Sequence, residues 1–300
     1  MKLLYFGSSS HHKNSLSIVR MCNSLKIDFE ETNDRQRLSR NDYDIVIFFS
    51  YYVDPQEAKI PDNVKIIYGP QHWIFPSGTL VGNSDLALSS RCVYNTLSKW
   101  VETAFIELVG SMAIPLVQFP FGVDTDKFKP EITDKTLDCI VYIKRRDTNL
   151  VKNVLDMLGD LKLTCKIFRY GSYQEAEYLK ALRNSKFMIT LDAHESQGFA
   201  LQEAMSCNVP LLVIDAQSMY DEMPDGVNSE YKYLKPKEML STSVPYWCNK
   251  CGIKISSFQE FPTGLNDMIL NWNYFTPREY IIENLSDEVC MKRILEYFNL

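Results

Sequence analysis

Short runs of apolar residues alternate along this chain with segments whose apolar positions recur every three or four residues. The runs occupy 3–6, 45–49, 64–68, 86–88, 115–119, 139–143, 163–168, 187–191 and 210–214. Short, continuous apolar runs predict strands buried on both faces, as in parallel sheets covered by helices. Between them, Val93, Leu97, Val101, Ala104, Phe105 and Leu108 form a stripe of helical spacing that ends at Gly110, a residue type that commonly stops helices. Ser172 and Glu175 have the spacing of a capping box ahead of Ala176, Leu179 and Leu182. Strand and helix patterns that alternate over such a length predict an α/β architecture.

The alternation is interrupted at Phe119-Pro120-Phe121-Gly122 through Lys129-Pro130-Glu131, and polar residues continue to Asp138 before strand patterning resumes. Two doubly wound parallel-sheet domains are therefore expected, 1–130 and 131–275. After 275 no strand pattern remains. Thr276-Pro277-Arg278-Glu279 is a capping box with proline at the first helical position, and Ser286-Asp287-Glu288 opens another helix. The length agrees, since 300 residues exceed one ordinary domain.

Composition narrows the function classes. With 45% hydrophobic and 23% charged residues the chain is globular rather than disordered. The net charge is −6, without blocks of like charge, which argues against a nucleic-acid partner. No run of about 18 apolar residues occurs, so no membrane-spanning segment is expected. The apolar start, 3–6, is too short for a signal peptide and reads as a first strand. The eight cysteines are scattered, which fits a reducing, cytoplasmic setting. Cys248 and Cys251 form a single CxxC without a second ligand pair nearby, so thiols rather than a zinc site are expected.

Candidate chemistry concentrates after the run 187–191. There the chain reads Asp192-Ala193-His194-Glu195-Ser196-Gln197-Gly198-Phe199-Ala200-Leu201-Gln202-Glu203-Ala204-Met205, followed by Asn208-Val209-Pro210 and another strand. A strand, a carboxylate-bearing loop, a glycine and a helix place helix-start amides where ligands of open α/β sheets bind, and such amides can cradle a diphosphate. Glu203, one to two turns into the helix, can accept hydrogen bonds from a ribose diol, and Glu195 from a sugar. Glu203 is expected to be partly exposed. Lys144-Arg145-Arg146, at the end of another run, is either a diphosphate-neutralising group or a solvated basic turn. Gly171 and Tyr173, in Tyr170-Gly171-Ser172-Tyr173, either meet a nucleobase or simply pack.

The segment 190–214 resembles the nucleotide-sugar-binding segment of the GT-B glycosyltransferases, the retaining group that includes sucrose-phosphate-synthase-like and mannosyltransferase enzymes. In that family Glu, seven intervening residues and Glu recur, usually as Glu-Gly/Ser-Phe-Gly followed by Glu-Ala-Met/Leu-Ala. Phe121-Gly122-Val123-Asp124-Thr125-Asp126-Lys127-Phe128 is similar to the family's domain-junction segment, and Asp85 to Ser90 also has the family's look. The resemblance implies two facing Rossmann-like domains, the first for the acceptor and the second for the donor, with 276–300 packing back on the first. It implies transfer of a sugar from a nucleotide-diphosphate donor to a glycan or other hydroxyl acceptor, with retention and without a metal or other cofactor.

By the same resemblance, Glu203 holds the donor ribose, Glu195 the transferred sugar, and the amides at Gly198, Phe199 and Ala200 approach the sugar or phosphates. The loop Gly7, Ser8 and His11, and His72 after the third run, fall where the family places groups near the reaction centre. The chain departs from the family at Lys144-Arg145-Arg146, where Gly-Arg is usual, and Lys152 is displaced by one. Two other readings stay open: a non-catalytic nucleotide- or glycan-binding protein on the same scaffold, and a metal-dependent GT-A-type transferase using Asp124-Thr125-Asp126. The sequence leaves the oligomeric state open.

Overall fold

A computed structural model describes residues 1–7, 11–49, 52–70, 91–109, 114–218 and 240–300. The chain divides into two compact units, one of Met1–Gly122 with Leu285–Leu300 and one of Val123–Asn284. The boundaries expected after 130 and 275 thus fall after 122 and 284. Ser8, His72 and the expected strand 86–88, with the neighbouring Asp85 to Ser90, lie outside the described residues.

The first unit is built on a six-stranded parallel sheet in the order β2-β1-β3-β4-β5-β6. Its strands are β1 (Lys2–Phe6), β2 (Asp28–Thr32), β3 (Ile45–Phe48), β4 (Lys65–Tyr68), β5 (Cys92–Asn95) and β6 (Leu116–Val117). Helices α1 (His12–Ser24), α2 (Lys99–Val109) and, from the far end of the chain, α8 (Asp287–Phe298) belong to the same unit. Leu4 and Phe6 join Val46, Phe48, Ile66 and Tyr68 in one core with Val101 and Phe105 of α2. Leu3 and Tyr5, which alternate with them, are also buried. Both faces are covered, which is why the strands read as unbroken apolar runs.

The second unit holds a five-stranded parallel sheet in the order β11-β10-β9-β7-β8. Its strands are β7 (Leu137–Lys144), β8 (Cys165–Arg169), β9 (Ser185–Asp192), β10 (Leu211–Ile214) and β11 (Gly252–Ile255). Around it lie α3 (Thr148–Asp160), α4 (Glu175–Asn184), α5 (Phe199–Ser206), α6 (Phe261–Asn271) and α7 (Pro277–Leu285). Val141, Ile143, Ile189, Leu191, Leu212 and Ile214 pack on Val151 and Val154 of α3 and Phe261, Leu265 and Met268 of α6. On the other side, Tyr142 lies 6.2 Å from Tyr178 of α4.

Three local expectations are corrected. The stripe that begins at Val93 is a strand through Asn95, and its helix starts only at Lys99. Cys92, Val93 and Tyr94 are buried in the sheet, and Asn95 ends the strand by accepting from Leu97 N and Phe119 N and donating to Phe119 O. Ser172 does not cap α4: Gln174 occupies the N-cap without a side-chain bond, and Ser172 N closes a turn on Arg169 O. Of the two C-terminal helices, α7 stays with the second unit, where Arg278 donates to Thr125 O, Phe128 O and Ser206 O.

Candidate functional site

The order of the second sheet has one topological switch. From β7 the chain moves outward to β8, then returns to pair β9 on the opposite side. Ligands of open α/β sheets bind beyond the carboxyl ends of the strands at such a point. The last register pair across this switch is Lys144 with Asp192, so the two chain segments singled out in the sequence meet there.

Lys144 Nζ forms an ion pair and hydrogen bond with Glu195 Oε1 and sits 4.5 Å from the Tyr170 ring centre. Burial opposes the Lys144 charge, but the charge and hydrogen bond of Glu195 outweigh it and hold the lysine above its ordinary value. Burial likewise pulls Glu195 upward, yet the charge and hydrogen bond of Lys144 and the hydrogen bond with Asp192 prevail and lower it. Asp192 goes the other way. Burial first, then the negative charge of Glu195, raise it well above the usual carboxylate range against the pull of Lys144.

The three basic residues separate on folding. Lys144 faces Glu195. Arg145 is exposed, with φ 47°, a left-handed conformation that costs a non-glycine residue about 1–2 kcal/mol. Arg146 is only 5% exposed, and its guanidinium donates to Asp192 O (2.9 Å) and Asp215 O (3.2 Å). It braces the ends of β9 and β10 from beneath. Asp215 accepts from Thr242 Oγ1 (2.8 Å) and Ser243 N (2.8 Å), Ser243 Oγ donates to Asp192 O (3.1 Å), and Glu195 N donates to Thr242 O (3.0 Å). The segment at Thr242 and Ser243 therefore fixes the loop that carries Glu195.

That loop ends at Gly198, the N-cap of α5, with φ 82° and ψ 54° and no side chain to offer the first amides of the helix. Gln202 Nε2 donates to Gln197 O (2.8 Å), and Gln197 Nε2 donates to Gln202 Oε1 (3.1 Å), which ties the loop to the helix. Glu203 is 4% exposed, so the expectation of a partly exposed carboxylate is corrected. Tyr173 lies 5.1 Å from Tyr178 and 5.4 Å from Phe168. Burial, and then the Glu203 charge, push the Tyr173 hydroxyl up to about 12. Gly171, with φ 75°, has open space where a Cβ would stand.

In the first unit the corresponding switch lies between β1 and β3. Gly7 follows β1 with φ 91° and donates to Thr32 O (3.0 Å). His11 stands at the N-cap of α1, its ring stacked 5.7 Å from that of His12. Asp124, of the Asp124-Thr125-Asp126 sequence, is engaged locally: its Oδ1 accepts from Lys127 N (3.0 Å) and its carbonyl from Phe128 N. Among the described residues, no three His, Cys, Asp or Glu side chains gather as a metal site, and no helix is long and apolar enough to cross a membrane. The Cys248 and Cys251 sulfurs lie 3.9 Å apart as free thiols.

Sequence reasoning assigned no role to Asp192, Asp215, Thr242 or Ser243. Asp192 was findable, as the polar residue closing an apolar strand. Thr242 and Ser243 carry no pattern, because only folding returns them to β9.

No family model matches the sequence, and no curated protein matches it. Solved structures do. A sucrose-phosphate synthase from Thermosynechococcus elongatus aligns with TM-score 0.58 and 9% identity over 100% of this chain and 98% of its own. A glycosyltransferase from Rickettsia africae ESF-5 aligns with TM-score 0.56 and 12% identity over 99% and 98%. The lipopolysaccharide outer core galactosyltransferase WaaB aligns with TM-score 0.55 and 15% identity over 100% and 99%. At such identities the likeness speaks for the fold, and the fold of this chain is the two-domain, parallel-sheet α/β architecture of the GT-B glycosyltransferases.

Proposed function

We propose that this chain is a glycosyltransferase that moves a sugar from a nucleotide-diphosphate donor to a hydroxyl of a glycan or other acceptor, with retention and without a metal. The observation that carries the reading is the meeting of Lys144, Glu195 and the Gly198-led start of α5 at the switch point of the second sheet. A cation and a helix N-terminus suit a diphosphate, whose charge grows as it leaves. In this reading Lys144, Arg145 and the amides of Phe199 and Ala200 meet the diphosphate. Glu195 accepts from hydroxyls of the transferred sugar, and Glu203 from the ribose. Gly171 and Tyr173 border the base. Arg146 serves by holding the strand ends. The second unit takes the donor, and the first unit, with Gly7 and His11 after its switch point, the acceptor.

Calorimetry and transfer assays with nucleoside diphosphates and their sugar conjugates test this. Glu203→Gln should weaken nucleoside diphosphate binding about 3- to 10-fold, because the amide oxygen still accepts but lacks the charge that roughly doubles the bond. Glu195→Gln should spare free nucleotide and reduce turnover of the sugar donor. Transfer should survive excess EDTA. Nucleotide affinity unchanged in Glu203→Gln, or activity abolished by EDTA and restored by manganese, overturns the reading.

A further inference from the structure

Asp192 sits at the carboxyl end of β9 with none of its surface exposed, paired in register with Lys144. Its Oδ1 accepts from Ala193 N at 2.8 Å. Its Oδ2 is buried, and among the described residues no N–H or hydroxyl donor reaches it. Lys144, its register partner, bonds Glu195, so the two carboxyls are gathered about one ammonium. Two ionised carboxylates offer only acceptors to each other, so a hydrogen bond between Asp192 and Glu195 requires a proton on one of them.

The surrounding charges decide which. From β7, Lys144 gives its ammonium to Glu195. Arg146 spends its guanidinium on main-chain carbonyls. Arg145 is exposed in the turn after β7. His194, in the loop, acts on Glu195. Tyr142 of β7 and Tyr178 of α4 also face the pair, and burial holds both phenols neutral by raising them. Among the described residues, one ammonium thus stands by the two carboxyls, and it is placed on Glu195. Like charges this close do not both ionise in a dry site.

We propose that Asp192 is a positioning residue for Glu195: its carboxyl keeps a proton and donates it to the Glu195 carboxylate, which stays ionised and held against Lys144. The proposal rests on the reading of Glu195 as the sugar-binding carboxylate. With one oxygen on Lys144 and the carboxyl hydrogen-bonded from Asp192, Glu195 has its rotamer chosen before any sugar arrives. Loss of the Asp192 proton at alkaline pH would set two anions against each other and release it.

Two measurements on the full-length protein test this. Infrared difference spectra between wild type and Asp192→Asn at neutral pH should show the carbonyl stretch of a protonated carboxylic acid in wild type only. This readout needs no activity. In transfer assays Asp192→Ala should lose about 10- to 150-fold in kcat/KM, and Asp192→Asn, whose amide still donates, should recover most of that loss. The wild-type profile should fall on its alkaline side as the proton leaves, and Asp192→Asn should lack that fall. Absence of the acid band, or an alkaline limb identical in wild type and Asp192→Asn, overturns the proposal. If wild type transfers no sugar at all, the reading of Glu195 fails instead, and the infrared band still decides where the proton is.

Discussion

Glu203 combines two demands in one side chain. At 4% exposure it is part of the packing of α5 as well as a donor-site candidate. Glu203→Ala should therefore lower the melting temperature along with nucleotide affinity, whereas Glu203→Gln, of equal volume, should lose affinity with a smaller thermal effect. Equal melting temperatures for wild type and Glu203→Ala would contradict the burial. Asp192 gives the pH counterpart. Its folded-state value is raised, so the folded chain holds a proton that the unfolded chain releases near pH ~4. Its contribution is complete below that pH and is lost as pH rises toward the folded value. Thermal melts should show Asp192→Asn gaining on wild type as pH rises above ~4, and a constant gap would be evidence against the raised value. Glu30 has the opposite sign. Hydrogen bonds from Arg37 and Lys2 lower it to about 2, so stability of the first unit that depends on it should fade as pH drops below ~4, and Glu30→Gln should flatten that acid limb.

At the scale of elements, what was legible in the sequence followed burial. Central strands such as β3 and β9 are apolar on both faces and read directly as runs. Of the four edge strands, β6 and β8 also read as runs, but β2 and β11 did not. β2 reads Asp-Phe-Glu-Glu-Thr and β11 reads Gly-Ile-Lys-Ile, because an edge exposes a face and is kept polar or short against mispairing. β11 is nonetheless held tightly. A Cβ on Gly252, at φ 136°, would stand 2.1 Å from Leu211 O. Gly252→Ala should destabilise the second unit by about 1–3 kcal/mol through overpacking and strain, read as a lower urea midpoint. Lys254 of β11 lies 3.5 Å from Asp215, so the loss should also loosen the Thr242 segment. An unchanged midpoint would mean that the strand does not pair as described.

The first unit as a whole is closed by residues from the opposite end of the chain. Ser17 and Arg20 of α1 donate to Gly122 O, Arg20 also donates to Asp287 of α8 (3.0 Å), and a Cβ on Gly122 would stand 2.5 Å from Asp287 Cα. Ending the chain after Asn284 should therefore destabilise residues 1–122, and hydrogen exchange should show lost protection in α1 but not in β7 or β9. Nucleoside diphosphate at 100 times its dissociation constant should stabilise the second unit by about 2.7 kcal/mol by mass action, with protection centred on 137–206. By itself the sequence determined the alternating strand–helix plan, the two-part division and the stretch from Asp192 to Glu203, since these follow from local burial periodicity and from residues close together along the chain. Only the tertiary structure decided that α8 belongs to the first unit, that Arg146 turns inward while Lys144 meets Glu195, and that Thr242 and Ser243 brace the site. Each of those depends on which distant segments compete for the same buried volume and the same hydrogen-bonding groups, and no local pattern records the outcome of that competition.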